Sequence, residues 1–223
     1  MSSDESSAAG MKLIGGRLCL DFTNTVGGRQ RDAAPRKSAA RALILGEKLT
    51  DYADLVAWSR EAEILTPAEA QRLVRESKQR GAEAAAVLER AVQLRETIYR
   101  LCQSILSSKL PETADLETLN RELLKARSHE RLARGANGFT WAWIDTKYAL
   151  DRMLWPVAHS AAELLTTEDC SRLRECGGED CGWLFEDTSR NRSRQWCDMQ
   201  ECGNRAKVRR FRTRQRSASK HRH

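Results

Sequence analysis

Four cysteines near the C-terminal end, in the order Cys176-x4-Cys181-x15-Cys197-x4-Cys202, leave this 223-residue chain few ways to fold there. Two close pairs separated by about fifteen residues are what a tetrahedral structural zinc site needs, because each pair can turn back on itself and aim both sulfurs at one point. Gly177, Gly178 and Gly203 are expected to ease those turns. Four thiolates would fill the coordination sphere and leave no open position for a substrate water, so the ion is expected to be structural, one Zn2+ and no catalytic metal. An iron centre or simply reduced thiols are the alternatives that spacing leaves open. Cys170 is read as a buried apolar thiol or a substitute ligand, and Cys19 and Cys102, which sit in apolar runs, as core. So short a segment cannot bury enough apolar surface to fold alone, and metal binding is expected to supply much of its folding free energy while the helices upstream stand independently.

Charge points the same way once it is located. Residues 1–169 carry 24 basic and 24 acidic side chains, whereas residues 170–223 carry 14 and 7, so the whole net charge of +7 sits in the cysteine-bearing end. From Gly203 to His223 there are nine basic residues and no acid. A neutral body with a cationic end implies a polyanionic partner for that end; a solvated tail is the bland alternative. On a helix, Arg205, Arg209, Arg212 and Arg216 share one stripe, while Val208 and Phe211 lie on a second that would pack on the metal module. Lys207 and the loop arginines Arg190, Arg192 and Arg194 complete the candidate phosphate contacts, since a guanidinium can donate two parallel hydrogen bonds to a phosphate.

The remainder reads as mainly helical. Thr50 or Asp51 caps a helix with Tyr52, Leu55, Val56 and Ser59 on one face, and Thr66-Pro67-Ala68-Glu69 is a capping box. Val87, Leu88, Ala91, Leu94, Ile98, Leu101 and Ile105 recur at helical spacing until Pro111; Leu116, Leu119, Leu123 and Leu124 follow, and residues 147–165 return to helix. Two segments alternate like strands: Leu18-Cys19-Leu20-Asp21-Phe22, and Phe139, Trp141 and Trp143 within NGFTWAWI. Residues 27–41 read as a mobile loop and 183–187 as a short hairpin beside the metal. The organisation expected is a disordered leader (1–10), a helical domain with one or two short strands (11–165), a small zinc finger with a hairpin and a basic helix (170–216), and a basic tail (217–223).

The stretch from Cys181 to Arg214 resembles the CGNR zinc-finger family, named for the tetrapeptide Cys202-Gly203-Asn204-Arg205; Trp196-Cys197, Ser189-Arg190-Asn191 and Phe185-x-Asp187 also match. The region before it is similar to the ABATE domain, on Gly16–Thr25, Tyr52-x2-Leu55-x2-Trp58 and Leu154–Ala158. This resemblance implies a bacterial stress-response regulator of transcription whose four cysteines hold zinc and whose C-terminal module binds duplex DNA. Glu186 departs from the family, which often has an aromatic or aliphatic residue there.

Asp21, Asn24, Trp141 and Trp143, with Trp155, are candidates for a small-molecule effector site; the competing reading is that the polar pair caps local backbone and the tryptophans pack in the core. His129 and His159 read as ordinary. A homodimer placing two modules on two half-sites is compatible with this organisation. An RNA-binding protein using the same basic module is the second reading, and an enzyme tethered by the finger the third. Against the enzyme, no nucleophile elbow, phosphate loop, HExxH or dinucleotide fingerprint is present, so no catalysis is expected. No eighteen-residue apolar run suggests a membrane span, and the polar leader is unlike a signal peptide, so the cytoplasm is the expected location.

Overall fold

A computed structural model describes residues 11–30, 43–136, 138–144, 147–167 and 170–220, with backbone only for 216–220. The expected leader, the tail from 221, most of the loop at 31–41 and the side chain of Arg216 lie outside the described residues.

The architecture is mainly α. Helix α4 (Gly81–Leu106) runs through the centre and packs against α1 (Leu18–Thr23), α2 (Tyr52–Glu61), α3 (Pro67–Gln79), α5 (Thr113–Ser128) and α6 (Leu154–Thr166). Val87, Ala91, Leu94, Ile98 and Leu101 of α4 are buried, as the helical spacing requires, with Leu88 and Ile105 at the edge. Asp51 caps α2 and Thr66 caps α3, each in a reciprocal capping box. Among the described residues no helix is long and apolar enough to cross a membrane.

Several sequence expectations change. The run 18–22 is a helix, not a strand: Cys19, Leu20 and Phe22 are all buried between α4 and α6, so no wet face exists to reveal a period. Residues 27–30, the start of the expected loop, belong instead to strand β1 (Val26–Gln30), paired antiparallel with β2 (Leu43–Glu47). Regular helix near 147–165 begins only at Leu154, although Leu150 and Met153 are buried in the preceding turns. Leu116 and Leu124 of α5 are exposed rather than inward, because α5 is fastened partly by ion pairs: Arg90 Nη2 to Glu122 at 2.7 Å and Arg100 Nη2 to Asp115 at 2.5 Å. Strands β3 (Glu130–Gly135) and β4 (Gly138–Trp143) form the expected aromatic strand and its partner, but Phe139 and Trp141 face solvent.

The C-terminal part contributes β5 (Leu173–Glu175), β6 (Leu184–Glu186), a π-helical turn (Met199–Gly203) and α7 (Asn204–Lys220). The hairpin thus pairs 173–175 with 184–186 around the first cysteine pair, rather than lying within 183–187. Its Leu173 and Leu184 enter the main core, while Val26 of β1 joins the cluster around the cysteines.

Candidate metal centre and nucleic-acid interface

The β5–β6 hairpin presents Cys176 and Cys181; Cys197, just before the π-helical turn, and Cys202, within it, make the second pair. The Sγ atoms of Cys176, Cys181, Cys197 and Cys202 all lie within 4.8 Å of one another, and all four residues are buried. The Cys181–Cys197 and Cys197–Cys202 separations are 3.5 and 3.7 Å. A tetrahedron of sulfurs each about 2.3 Å from zinc has edges of roughly 3.8 Å, so the donor set fits that ion in number, softness and spacing.

The surroundings suit thiolates. Cys176 Sγ accepts from the backbone N–H groups of Gly178 (3.5 Å) and Cys197 (3.3 Å), and Cys202 Sγ accepts from Arg205 Nη2 at 3.3 Å. Hydrogen bonds from the Cys181 and Cys197 thiols, aided by those N–H groups, hold Cys176 far below an ordinary thiol; in return Cys176 pushes Cys181 up to about 12 and Cys197 higher still. Four sulfurs this close ionise together only around a divalent cation, which is the charge zinc supplies when bound. Cys170 lies outside the cluster, its sulfur turned to the Leu164 and Thr167 carbonyls. Cys19 and Cys102 are fully buried, and burial pushes both thiols upward, as core cysteines require.

The glycines at work differ from those expected. None of Gly177, Gly178 and Gly203 has a positive φ; the left-handed turn is made by Gly182, at φ +60°. At Gly28 of β1 a Cβ would stand 1.9 Å from the Asp180 carbonyl oxygen, so only glycine lets that strand lie against the first cysteine loop. Beside it Arg29 N–H donates to the Cys181 carbonyl at 2.9 Å, and Trp183 Nε1 donates to Val26 O at 3.0 Å.

The candidate cations divide into two groups. Arg205 reaches the Cys202 sulfur, Arg209 forks onto Glu179, and Arg192 donates to Ser171 Oγ at 2.6 Å. Arg194 stacks over Phe185 and donates to the Trp196 and Cys197 carbonyls, so it braces the loop from within rather than reaching outward. Arg190, Lys207, Arg210, Arg212 and Arg214 are exposed and unpaired among the described residues. The stripe of Arg205 and Arg209 is therefore turned toward the cysteine module, while Lys207, Arg210 and Arg214 share another at steps of three and four. Val208 and Phe211 do not pack on the module: they are 49% and 61% exposed. Arg205, Arg209, Arg210 and Arg214 line a groove of about 850 Å³ between α7 and the Gly177–Cys181 loop.

A family model for ABATE, described as "Putative stress-induced transcription regulator", matches residues 16–168. The chain belongs to the ABATE family. A CGNR zinc-finger model matches residues 172–215, so the cysteine module is a CGNR finger holding one structural zinc ion. No curated protein matches the chain.

The proposed effector residues do not converge in the ABATE domain. Asp21 accepts from Gly15 N–H at 2.7 Å, and Asn24 is buried against β6, donating to Leu184 O at 2.8 Å and accepting from Leu184 N–H at 2.9 Å. Trp143 packs on buried Trp155 with ring centroids 5.7 Å apart, and Trp141 is 68% exposed. His129 also stacks on Trp155, at 4.0 Å, and His159 sits between Glu130 and Glu163. Sequence reading missed Asn24, Arg29 and Lys12 as struts of the finger. Lys12 pairs with Asp198 at 2.7 Å and Glu201 at 2.8 Å, a contact across nearly the whole chain that no local pattern announces.

Proposed function

We propose that this protein is a cytoplasmic, zinc-dependent DNA-binding regulator of transcription that acts by binding rather than by catalysis, its finger docking on the phosphates of a duplex. The observation that carries the reading is the run of unpaired cations on α7, Lys207, Arg210, Arg212 and Arg214, rooted on a metal-held base beside a groove. A rigid base fixes the register of these charges, which a solvated tail does not need. Guanidinium groups without acidic partners have not spent their hydrogen bonds inside the protein, so they are free for phosphate oxygens. In this reading the ABATE domain passes the state of an effector or a second subunit on to the finger, and the contacts of Asn24, Arg29 and Trp183 that join the two support it.

Duplex binding by the zinc-loaded full chain across a salt series tests this. Affinity should fall steeply with salt, and Arg210→Ala/Arg214→Ala should weaken binding and lower the slope of log K against log salt by about 0.9 per lost contact. Affinity that ignores salt and both substitutions overturns the reading, and tighter binding to structured RNA than to duplex DNA redirects it.

A further inference from the structure

The two cysteine pairs are not hydrogen-bonded alike. Cys176, in the first pair, takes donors from the backbone, the N–H groups of Gly178 and Cys197. Cys202, in the second, stands inside the π-helical turn, where the two amides that follow it are already spent. Gly203 N–H donates to the Asp198 carbonyl at 3.1 Å, and Asn204 N–H to the Met199 and Glu201 carbonyls. The Cys202 sulfur receives a side-chain donor instead, Arg205 Nη2 at 3.3 Å, from one helical turn further on.

We infer that Arg205 is a positioning residue of the metal centre and not a phosphate contact, its guanidinium supplying the hydrogen bond that the π-helical turn withholds from Cys202. Charge argues for this. Four thiolates around one divalent ion keep two negative charges, and a hydrogen bond from a cation relieves the sulfur that accepts it. The same negative excess repels a phosphate brought up to Arg205. Lys207, Arg210, Arg212 and Arg214, exposed and unpaired among the described residues, touch no sulfur. Position argues for it as well. Cys202 lies at the end of the turn and Arg205 in the first turn of α7, so one contact ties a metal ligand to the helix that bears those cations. Arg209, four residues on, is the contrast: it forks onto Glu179, which is 61% exposed, and an ion pair in that setting adds little. The inference needs only the bound metal and stands whether or not α7 docks on DNA.

Zinc affinity of the full chain, read by competition with a chromophoric chelator, tests it. Arg205→Met keeps the apolar stem, loses the donor and should bind zinc roughly ten-fold more weakly. Arg209→Met removes the same charge and should bind zinc as the native chain does. Cobalt(II) in place of zinc gives a signature that a general loosening of the fold does not. A thiolate stripped of its hydrogen bond gives up electrons more easily, so the sulfur-to-cobalt charge-transfer band should move to longer wavelength in Arg205→Met and stay in place in Arg209→Met. Arg205→Lys keeps the charge without the planar fork; it should fall between the two, and it carries the test if Arg205→Met does not fold. In the zinc-saturated chain Arg205→Met should leave the salt slope of duplex binding unchanged, and a chain that binds no duplex leaves the zinc and cobalt readings to decide. Native zinc affinity with an unmoved cobalt band in Arg205→Met overturns the inference, and a salt slope lowered by about 0.9 overturns it in favour of a phosphate contact.

Discussion

Asn24 stands in for a missing strand. In the β5–β6 hairpin the outer edge of β6 exposes the N–H and C=O of Leu184, and the Asn24 side-chain amide pairs with both, while the Gly15 carbonyl takes the Glu186 N–H at 2.7 Å. An amide mimics a peptide unit, with one donor and one acceptor at the right spacing, so a single side chain closes an edge that would otherwise be an unsatisfied buried backbone. Asn24→Ala strands both groups and should cost roughly 2–4 kcal/mol in chemical denaturation. Asn24→Asp keeps the acceptor, loses the donor and sets a carboxylate against the Leu184 carbonyl, so it should be no better than alanine. If Asn24→Asp proves as stable as the native chain, the amide is not the edge-closing group. The sequence offered Asn24 as an effector contact or as a cap on local backbone; it does close backbone, but that of Leu184, 160 residues away, which no local pattern announces. By contrast the four cysteine ligands were readable from spacing alone, because coordination chemistry needs two close pairs wherever the chain supplies them.

Elements were legible where one physical rule decided them and obscure where partners did. Capping boxes and the long period of α4 announce helices locally. Strand β1, Val26-Gly27-Gly28-Arg29-Gln30, has no alternation and Val26 as its one apolar side chain; it is a strand because β2 pairs with it and because Arg29 is drawn inward. Arg29 is 1% exposed, stacks on Tyr99 at 3.9 Å and forks onto Glu96 of α4 at 2.6 and 3.0 Å; Arg95, fully buried, donates to Glu96 at 2.8 Å and forks onto Glu47 of β2. Two buried guanidinium groups thus hang on two carboxylates from different elements. Glu96→Gln removes a charge that both need and should destabilise the chain by roughly 3 kcal/mol, read from the midpoint of urea unfolding. Titration makes the same point without mutation. Burial pulls both carboxyls upward, but hydrogen bonds and charge from Arg29 and Arg95 outweigh it and hold Glu96 and Glu47 below their ordinary 4.5. Their contribution is whole above that value and is lost as pH falls through the lowered one, so stability should drop steeply below about pH 4.5 and do so less in Glu96→Gln. Equal acid sensitivity in the two proteins would remove this network from the cause.

At the scale of the whole molecule, the division into a helical body and a metal-dependent end, so clear in composition, is crossed by the packing. Leu173 and Leu184 of the finger sit in the main core, Val26 of β1 sits among the cysteines, and Tyr99 of α4 donates to Glu175 of β5 at 3.0 Å. Charge and cysteine count report where chemistry lies along the chain, not which surfaces close on each other, and so the sequence suggested a body indifferent to the metal. Interlocked cores argue otherwise. Losing the ion removes a large share of the finger's folding free energy, and a loosened finger uncovers Leu173 and Leu184, the amide of Asn24 and the edge of β1, each of which the body then has to expose or leave unpaired. Chelation should therefore lower the melting temperature of the whole chain, by about 10 °C or more for a deficit of several kcal/mol in a chain of this length. The two probes that separate the possibilities are far-ultraviolet circular dichroism, dominated by the helices of the body, and the fluorescence of Trp183 and Trp196, read by replacing each with phenylalanine. Coincident transitions that shift together on metal removal are expected. A fluorescence transition that moves alone, with helices melting where they did before, would mean that β1 and the β5–β6 hairpin pack on the body without stabilising it.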